Sequence, residues 1–489
     1  MIDYPLEEFP VFAELTEALS PGGRPVGILT LTNHDDRRPA TLGPLGLARL
    51  GEALDDIAAR ANAFAALIVT GNGKTFCAGA NLDTLAAPRH YGDALQLAQE
   101  GHRVLSKLAN LGIPTIAAIN GTALGGGLEL ALHCTHRIAH DGPISLGLPE
   151  IGLGLIPGWG GTTLLPRLIG LESALSVMVD NAIAGKTLTP SEAFERGIVD
   201  VVVSDAVEGA LVVVDSMPNL NRSHHTVNVA VAGKLIDATF DRFAARVGNP
   251  IDALTHIQRI LHHSFDATQS ESFEAEDAAL ADLMTSIEFR SRLYAFRITS
   301  AAHKTPLSTP DVTPREIRRV GVVGAGLMAS QIALSFAESN DRTVIVTDVT
   351  QDKLDAARDR IDGWLGARVT KGTLSSDTQS ETLSRISTTL AISDFADCDL
   401  VIEAVFEDLS VKKDVLTALE AVVPATCIIA SNTSSLSIEA MASFAKHSDR
   451  IAGIHFFNPV AAMKLVEVVR NDRQSDVTLA TAVSVAQSL

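Results

Sequence analysis

The stretch RRVGVVGAGLMASQIALSFAESNDRTVIVTD, residues 318–348, leaves a chain few folds to adopt. An apolar run of strand length leads into a glycine turn. A helical run follows, then a second apolar run that ends on an acid. Gly324, Gly326 and Ala329 fill the pattern G-x-G-x-x-G/A, and Asp348 closes the second strand. Such glycines let backbone N–H groups meet a pyrophosphate at a helix start, and the acid can accept from a ribose 2′-hydroxyl. The spacing predicts a Rossmann-type doubly wound parallel sheet that binds NAD. It disfavours NADP, whose 2′-phosphate would face the carboxylate.

That unit is one part of a 489-residue chain, too long for a single core. The segment to about residue 205 alternates apolar runs with helical ones, an α/β pattern. PVGILTLTN, ALIVTGNG, PTIAAIN and GIVDVVV read as strands; LGLARLGEALDDIAARA and ALQLAQEGHRVLSKLANL read as amphipathic helices. Residues 206–315 read as a helical connector. It ends in one long helix over 270–303, then in a linker marked by Pro306, Pro310 and Pro314. The expected division is therefore 1–205, 206–315 and 316–489.

Bulk properties exclude several classes of function. A net charge of −19 argues against nonspecific nucleic-acid binding. No apolar run reaches membrane-spanning length, and MIDYPLEEFP lacks the basic and apolar regions of a signal peptide, so the expected location is cytoplasmic. Cys77, Cys134, Cys398 and Cys427 lie far apart without CxxC spacing and read as buried free thiols. The pairs His224–His225 and His262–His263 lack acids or cysteines at ligand spacing, so no metal site is expected.

Chemistry concentrates in three further stretches. GTALGGGLELALHC runs three glycines, Gly125 to Gly127, straight into a helix carrying Glu129. SLGLPEIGLGLIPGWGG offers Glu150 between a proline and another glycine loop, and GKTFCAGANL places Gly79 and Ala80 after a strand. Glycine permits a ligand to approach the backbone, and free N–H groups at a helix start can hold a developing oxyanion. Two carboxylates with such donors form a kit for acid/base work at a carbon next to a carbonyl.

FCAGANL, NGTALGGGLELAL and PEIGLGLIPGWGG resemble the crotonase family, specifically enoyl-CoA hydratases, over most of residues 25–203. The resemblance implies a ββα spiral domain and an acyl-CoA thioester substrate. It implies that the N–H groups of Ala80 and Gly126 bind the thioester oxygen. It also implies Glu129 as the base toward water and Glu150 as the acid toward the α-carbon. Two positions depart from the family: Asn81 stands where Asp is common, and Leu164 where many members carry Arg.

IEAVFEDLSVKKDV, ASNTSSLSI and GIHFFNPVAAMKLVEVV, together with the glycine motif, are similar to 3-hydroxyacyl-CoA dehydrogenases over residues 317–489. That resemblance implies His455 as the base at the 3-hydroxyl, oriented by Glu467. Ser434 and Asn458 match substrate- or cofactor-contacting positions; Glu407 and Lys412 match nicotinamide-side positions. A hydratase half followed by a dehydrogenase half is similar to the multifunctional α-subunits of fatty-acid β-oxidation complexes. Such subunits oligomerise and often associate with a thiolase subunit. Two other readings stay open: a crotonase-fold isomerase, and a CoA- or NAD-binding scaffold without catalysis. The dehydrogenase resemblance stops inside DVTLATAVSVAQSL, so the family's C-terminal helical domain is expected to be missing and oxidation by these residues to be poor.

Overall fold

The computed structural model describes residues 10–35, 38–216, 229–247, 251–304, 312–339, 342–463 and 465–489. Two compact units divide at Ser300/Ala301. Pro306, Pro310 and the pair His224–His225 lie outside the described residues.

In the first unit the strands Phe12–Leu19, Pro25–Thr32, Ala66–Gly71, Thr115–Ile119, His136–His140 and Val201–Val203 lie side by side in chain order. The first pair is antiparallel and the rest are parallel. Successive side chains on a strand face opposite ways. One face presents Val26, Ala66, Ile68, Ile116 and Ile138 to Ala206, Ala210 and Val214 of the helix Ala206–Ser216. The other face sends Leu29, Leu67, Val69, Ala117 and Ile119 into the main core. The helix Ala206–Ser216 therefore covers the sheet instead of opening a connector. GIVDVVV is strand only over Val201–Val203.

A second sheet is built from three very short parallel strands, Thr75–Cys77, Thr122–Leu124 and Leu146–Gly147. Each follows a strand of the large sheet and precedes a helical segment, so the chain repeats strand, strand, helix as it winds. Parallel strands point their C-terminal ends the same way. The residues that follow them are Gly79–Ala80, Gly125–Gly127 and Glu150, so the small sheet delivers all three expected motifs to one edge.

The expected long helix over 270–303 is two helices, Gln269–Met284 and Ile287–Lys304. The break falls where the Ser286 hydroxyl accepts from Phe289 N at 3.0 Å, an N-cap contact. The first of the two opens on a capping box between Thr268 and Glu271, and it lies along the helix Tyr91–Ala109.

The second unit holds a seven-stranded sheet. In space it runs Ile386–Thr389, Thr343–Thr347, Arg319–Val323, Leu400–Glu403, Ile428–Ser431, Ile451–Phe456, Val466–Val469. Numbered along the chain the order is third, second, first, fourth, fifth, sixth, seventh, and only the last strand is antiparallel. The order reverses between Arg319–Val323 and Leu400–Glu403, the crevice where doubly wound sheets bind ligands. Helices cover both faces, with one core around Val320, Val322, Ile332 and Phe336 and another around Phe395, Val401, Leu416 and Met441.

Candidate active sites

In the first unit the answer to the glycine triplet is crowding. Gly125 has φ +53°, and a Cβ there would come within 2.7 Å of Glu150 Oε1. On Gly126 a Cβ would lie 2.8 Å from the Trp159 ring and 3.3 Å from Ala80 N; on Gly127 it would run into the Cys77 carbonyl. The backbones of Gly79–Ala80 and Gly125–Gly126 thus run against each other. Among the described residues, neither Ala80 N nor Gly126 N donates to a protein acceptor. Gly126 is also the first residue of the helix Gly126–His133, where N–H groups have no intrahelical partner.

Glu129, one turn in, is buried at 3% exposure. Its Oε1 accepts from Trp159 N at 2.7 Å and Gly161 N at 2.8 Å. Burial and then the charge of Glu276 raise its carboxyl to about 7, against the pull of those two N–H groups and of His102. Glu150 starts the turn Glu150–Leu153, and its buried Oε2 has no hydrogen-bond partner among the described residues. Burial first, and then the charge of Glu129, holds Glu150 well above the ordinary carboxylate range. The two acids are unequal. The one with two N–H donors ionises first, and the bare one keeps its proton, which pushes acid and base roles apart.

The loop carrying those donors comes from the glycine-rich turn after Pro157, and Thr163 and Gly160 tie it to Glu276. Glu276, Asp277 and His102 carry no sequence signal beyond being polar residues on helix faces that turn inward. Leu164, the departure noted above, is buried in the core.

In the second unit, Gly324 has φ +110°, and a Cβ there would strike the Ala404 carbonyl at 2.7 Å. Gly326, the N-cap of the helix Leu327–Glu338, faces open space, which leaves that helix start accessible to a ligand. Ala329 is fully buried on that helix. Asp348 caps the turn from the other side: Oδ2 accepts from Ala325 N at 2.8 Å, and Oδ1 pairs with Lys353 Nζ at 3.1 Å. Burial would raise this carboxyl, but Val349 N, Lys353 and Ala325 N together hold it below the usual range. These features fit a dinucleotide.

Beside the crevice lies a cleft of about 370 Å³ lined by Met328, Ala404, Glu407, Lys412, Ser434, His455 and Asn458, among others. The structure therefore brings together five expected residues drawn from three separate stretches. His455 and Glu467 are directly opposed on the antiparallel strands Ile451–Phe456 and Val466–Val469, with Nδ1 2.8 Å from Oε2. A carboxylate can only accept, so in the neutral ring the proton sits on Nδ1 and Nε2 is the acceptor. Lys412 is buried, its Nζ 2.9 Å from both oxygens of Glu403 and 3.2 Å from Glu407 Oε2. Glu407 in turn accepts from Thr433 Oγ1 at 2.6 Å and Ser434 N at 3.1 Å. Asn458 Oδ1 accepts from Gln331 Nε2 at 2.9 Å. Sequence reasoning passed over Glu403, the buried anchor of Lys412, and Asn432, which lines the same cleft.

Residues 27–231 match the family described as enoyl-CoA hydratase/isomerase, and residues 319–489 match that of the 3-hydroxyacyl-CoA dehydrogenase, NAD binding domain. The chain joins a hydratase/isomerase domain to a dehydrogenase NAD-binding domain. The fatty acid oxidation complex subunit alpha of Shewanella halifaxensis (strain HAW-EB4) is 33% identical over 451 residues, covering 90% of this chain and 63% of that protein. The protein of the same name from Shewanella sp. (strain MR-4) is 32% identical over 460 residues, 92% of this chain and 64% of that one. Among solved structures, 3-hydroxybutyryl-CoA dehydrogenase from Escherichia coli K12 is 37% identical, with a TM-score of 0.35, covering 36% of this chain and 37% of that one. The chain spans 63% and 64% of the length of the two relatives. Within the hydratase/isomerase domain lie Ala80, Gly126, Glu129 and Glu150; within the NAD-binding domain lie all the other expected residues.

Proposed function

We propose that the first unit adds water to trans-2-enoyl-CoA thioesters to give L-3-hydroxyacyl-CoA. The observation that carries the reading is the inequality of Glu129 and Glu150, one solvated by two backbone N–H groups and one bare. Glu129 takes a proton from water as its oxygen attacks the β-carbon. The electron pair moves through the α-carbon to the thioester oxygen, held by Ala80 N and Gly126 N, and Glu150 returns a proton to the α-carbon. Preorganised N–H donors in a dry site are worth about 2.7–4 kcal/mol each in transition-state stabilisation. Loss of the conjugated enoyl-thioester absorbance on mixing with a trans-2-enoyl-CoA tests the proposal. Acyl-CoA binding without that loss would favour the scaffold, and migration of the double bond without water uptake would favour the isomerase.

The second unit supports the next step, oxidation of the 3-hydroxyl. The NAD-binding domain would hold the cofactor with Gly324, Gly326 and Ala329 at the pyrophosphate and Asp348 at the ribose. When bound, NAD supplies the hydride acceptor. His455 would take the hydroxyl proton on Nε2, with Glu467 fixing its ring, and Ser434, Asn458, Glu407 and Lys412 would line the approach. The relatives' names speak of a complex, and a thiolase-type partner that cleaves the resulting 3-oxoacyl-CoA belongs to the same reading, as does oligomerisation.

A further inference from the structure

The helix Gln269–Met284 buries a stripe that includes Ala279, Leu280, Leu283 and Met284, yet the same buried surface holds Glu276 and Asp277. Charged residues are almost never fully buried unless paired, and a local rule broken in this way marks function or strain. Both carboxylates close on one ring. His102, on the facing helix, has Nδ1 2.5 Å from Asp277 Oδ1, and its Nε2 lies 3.2 Å from Glu276 Oε2, an ion-pair contact off the line of a hydrogen bond. The ring stacks on Phe273 at 4.3 Å. Burial would drive the imidazole down, but the two carboxylates outweigh it and raise His102 to about 9, so it is a cation at neutral pH.

Glu276 also reaches the catalytic loop. Three consecutive N–H groups are shared between two carboxylates: Trp159 and Gly161 donate to Glu129, and Gly160 donates to Glu276 Oε2 at 2.7 Å. Thr163 Oγ1 donates to Glu276 Oε1 at 2.5 Å. We propose that Glu276, with His102 and Asp277 behind it, is a positioning residue for hydration, fixing the donors of Glu129 and setting the charge that Glu129 works against. The inference rests on the hydratase reading. The groups facing Glu129 and this cluster are Glu150, Glu276, the His102 cation, Asp277, and Arg167, which donates to Ser264 O at 3.0 Å; His133 Nε2 meets Trp159 O at 2.9 Å.

The test is the pH profile of hydratase kcat, measured on variants whose fold is checked by circular dichroism. Glu276→Gln keeps the shape and removes a negative charge, so the acidic limb moves to lower pH by roughly one unit, the effect of a single nearby charge at a buried site. His102→Gln removes the cation and moves that limb to higher pH. Asp277→Asn weakens the hold on the cation and moves it the same way as His102→Gln, with KM nearly unchanged. A merely structural role would slow all three without opposed shifts. A folded Glu276→Gln with an unmoved limb overturns the proposal, and so does any shift of Glu276→Gln and His102→Gln in one direction. Should Glu276→Gln not fold, unmoved limbs in the folded His102 and Asp277 variants overturn it equally. Retained turnover in Glu129→Gln is a different result: it would remove the hydratase reading itself.

Discussion

Glutamine at position 129 still offers an oxygen to Trp159 N and Gly161 N, so Glu129→Gln removes the base and leaves the loop in place. General acid/base contributions are ~10²–10⁴-fold, and that loss of hydratase kcat is expected for Glu129→Gln and for Glu150→Gln alike. Acyl-CoA affinity by calorimetry should stay near that of the wild type. The double variant should be little slower than either single, because paired groups act as a unit. Near-normal turnover in either single variant would take that residue out of the mechanism. In the unmodified protein kcat should rise with pH through about 7, as Glu129 ionises, and fall at higher pH as Glu150 loses its proton. Both acids were legible because glycine loops bracket them in the chain. Glu276 and His102 were not, since 173 intervening positions separate residues that only tertiary packing makes neighbours.

At the scale of elements, the large strands were visible from their apolar runs, but the small sheet was not. Its strands hold two or three residues each, too few for any periodicity. Yet those strands align the three site segments. The break at Ser286 was hidden for the opposite reason: helical periodicity resumes on both sides of it. The strand–turn–helix–strand of the second unit was legible in full, and its own prediction follows. Asp348 bonds Ala325 N across the glycine turn, and in the proposed reading it accepts from the cofactor's ribose. Asp348→Ala should weaken NAD binding and narrow the preference over NADP, since a 2′-phosphate no longer meets a carboxylate and Lys353 is left unpaired. Isothermal titration of wild type and variant with both cofactors measures this. Tighter NADP than NAD in the wild type would contradict the assignment of Asp348.

Across the whole molecule, each compact unit closes its own apolar cores, and chains of several domains commonly unfold in more than one step. Two calorimetric transitions are expected, and two different reagents should identify them. NAD binds the folded second unit, so it raises only that transition, by about 2.7 kcal/mol of stability at one hundred times its Kd. Proton linkage singles out the first unit. His102 is raised from 6.5 to about 9, so the folded state keeps a proton that the unfolded state releases between those values. Its contribution is full below about 6.5 and is lost as pH rises through about 9. Glu129, raised from 4.5 to about 7, acts with the same sign at lower pH. The transition unmoved by NAD should therefore fall in temperature between pH 6.5 and 9, and His102→Gln should flatten that slope while leaving the NAD-shifted transition alone. A slope unchanged by His102→Gln would mean that the buried ring is not the group that titrates, and a single transition moved by both reagents would mean that the two cores melt as one.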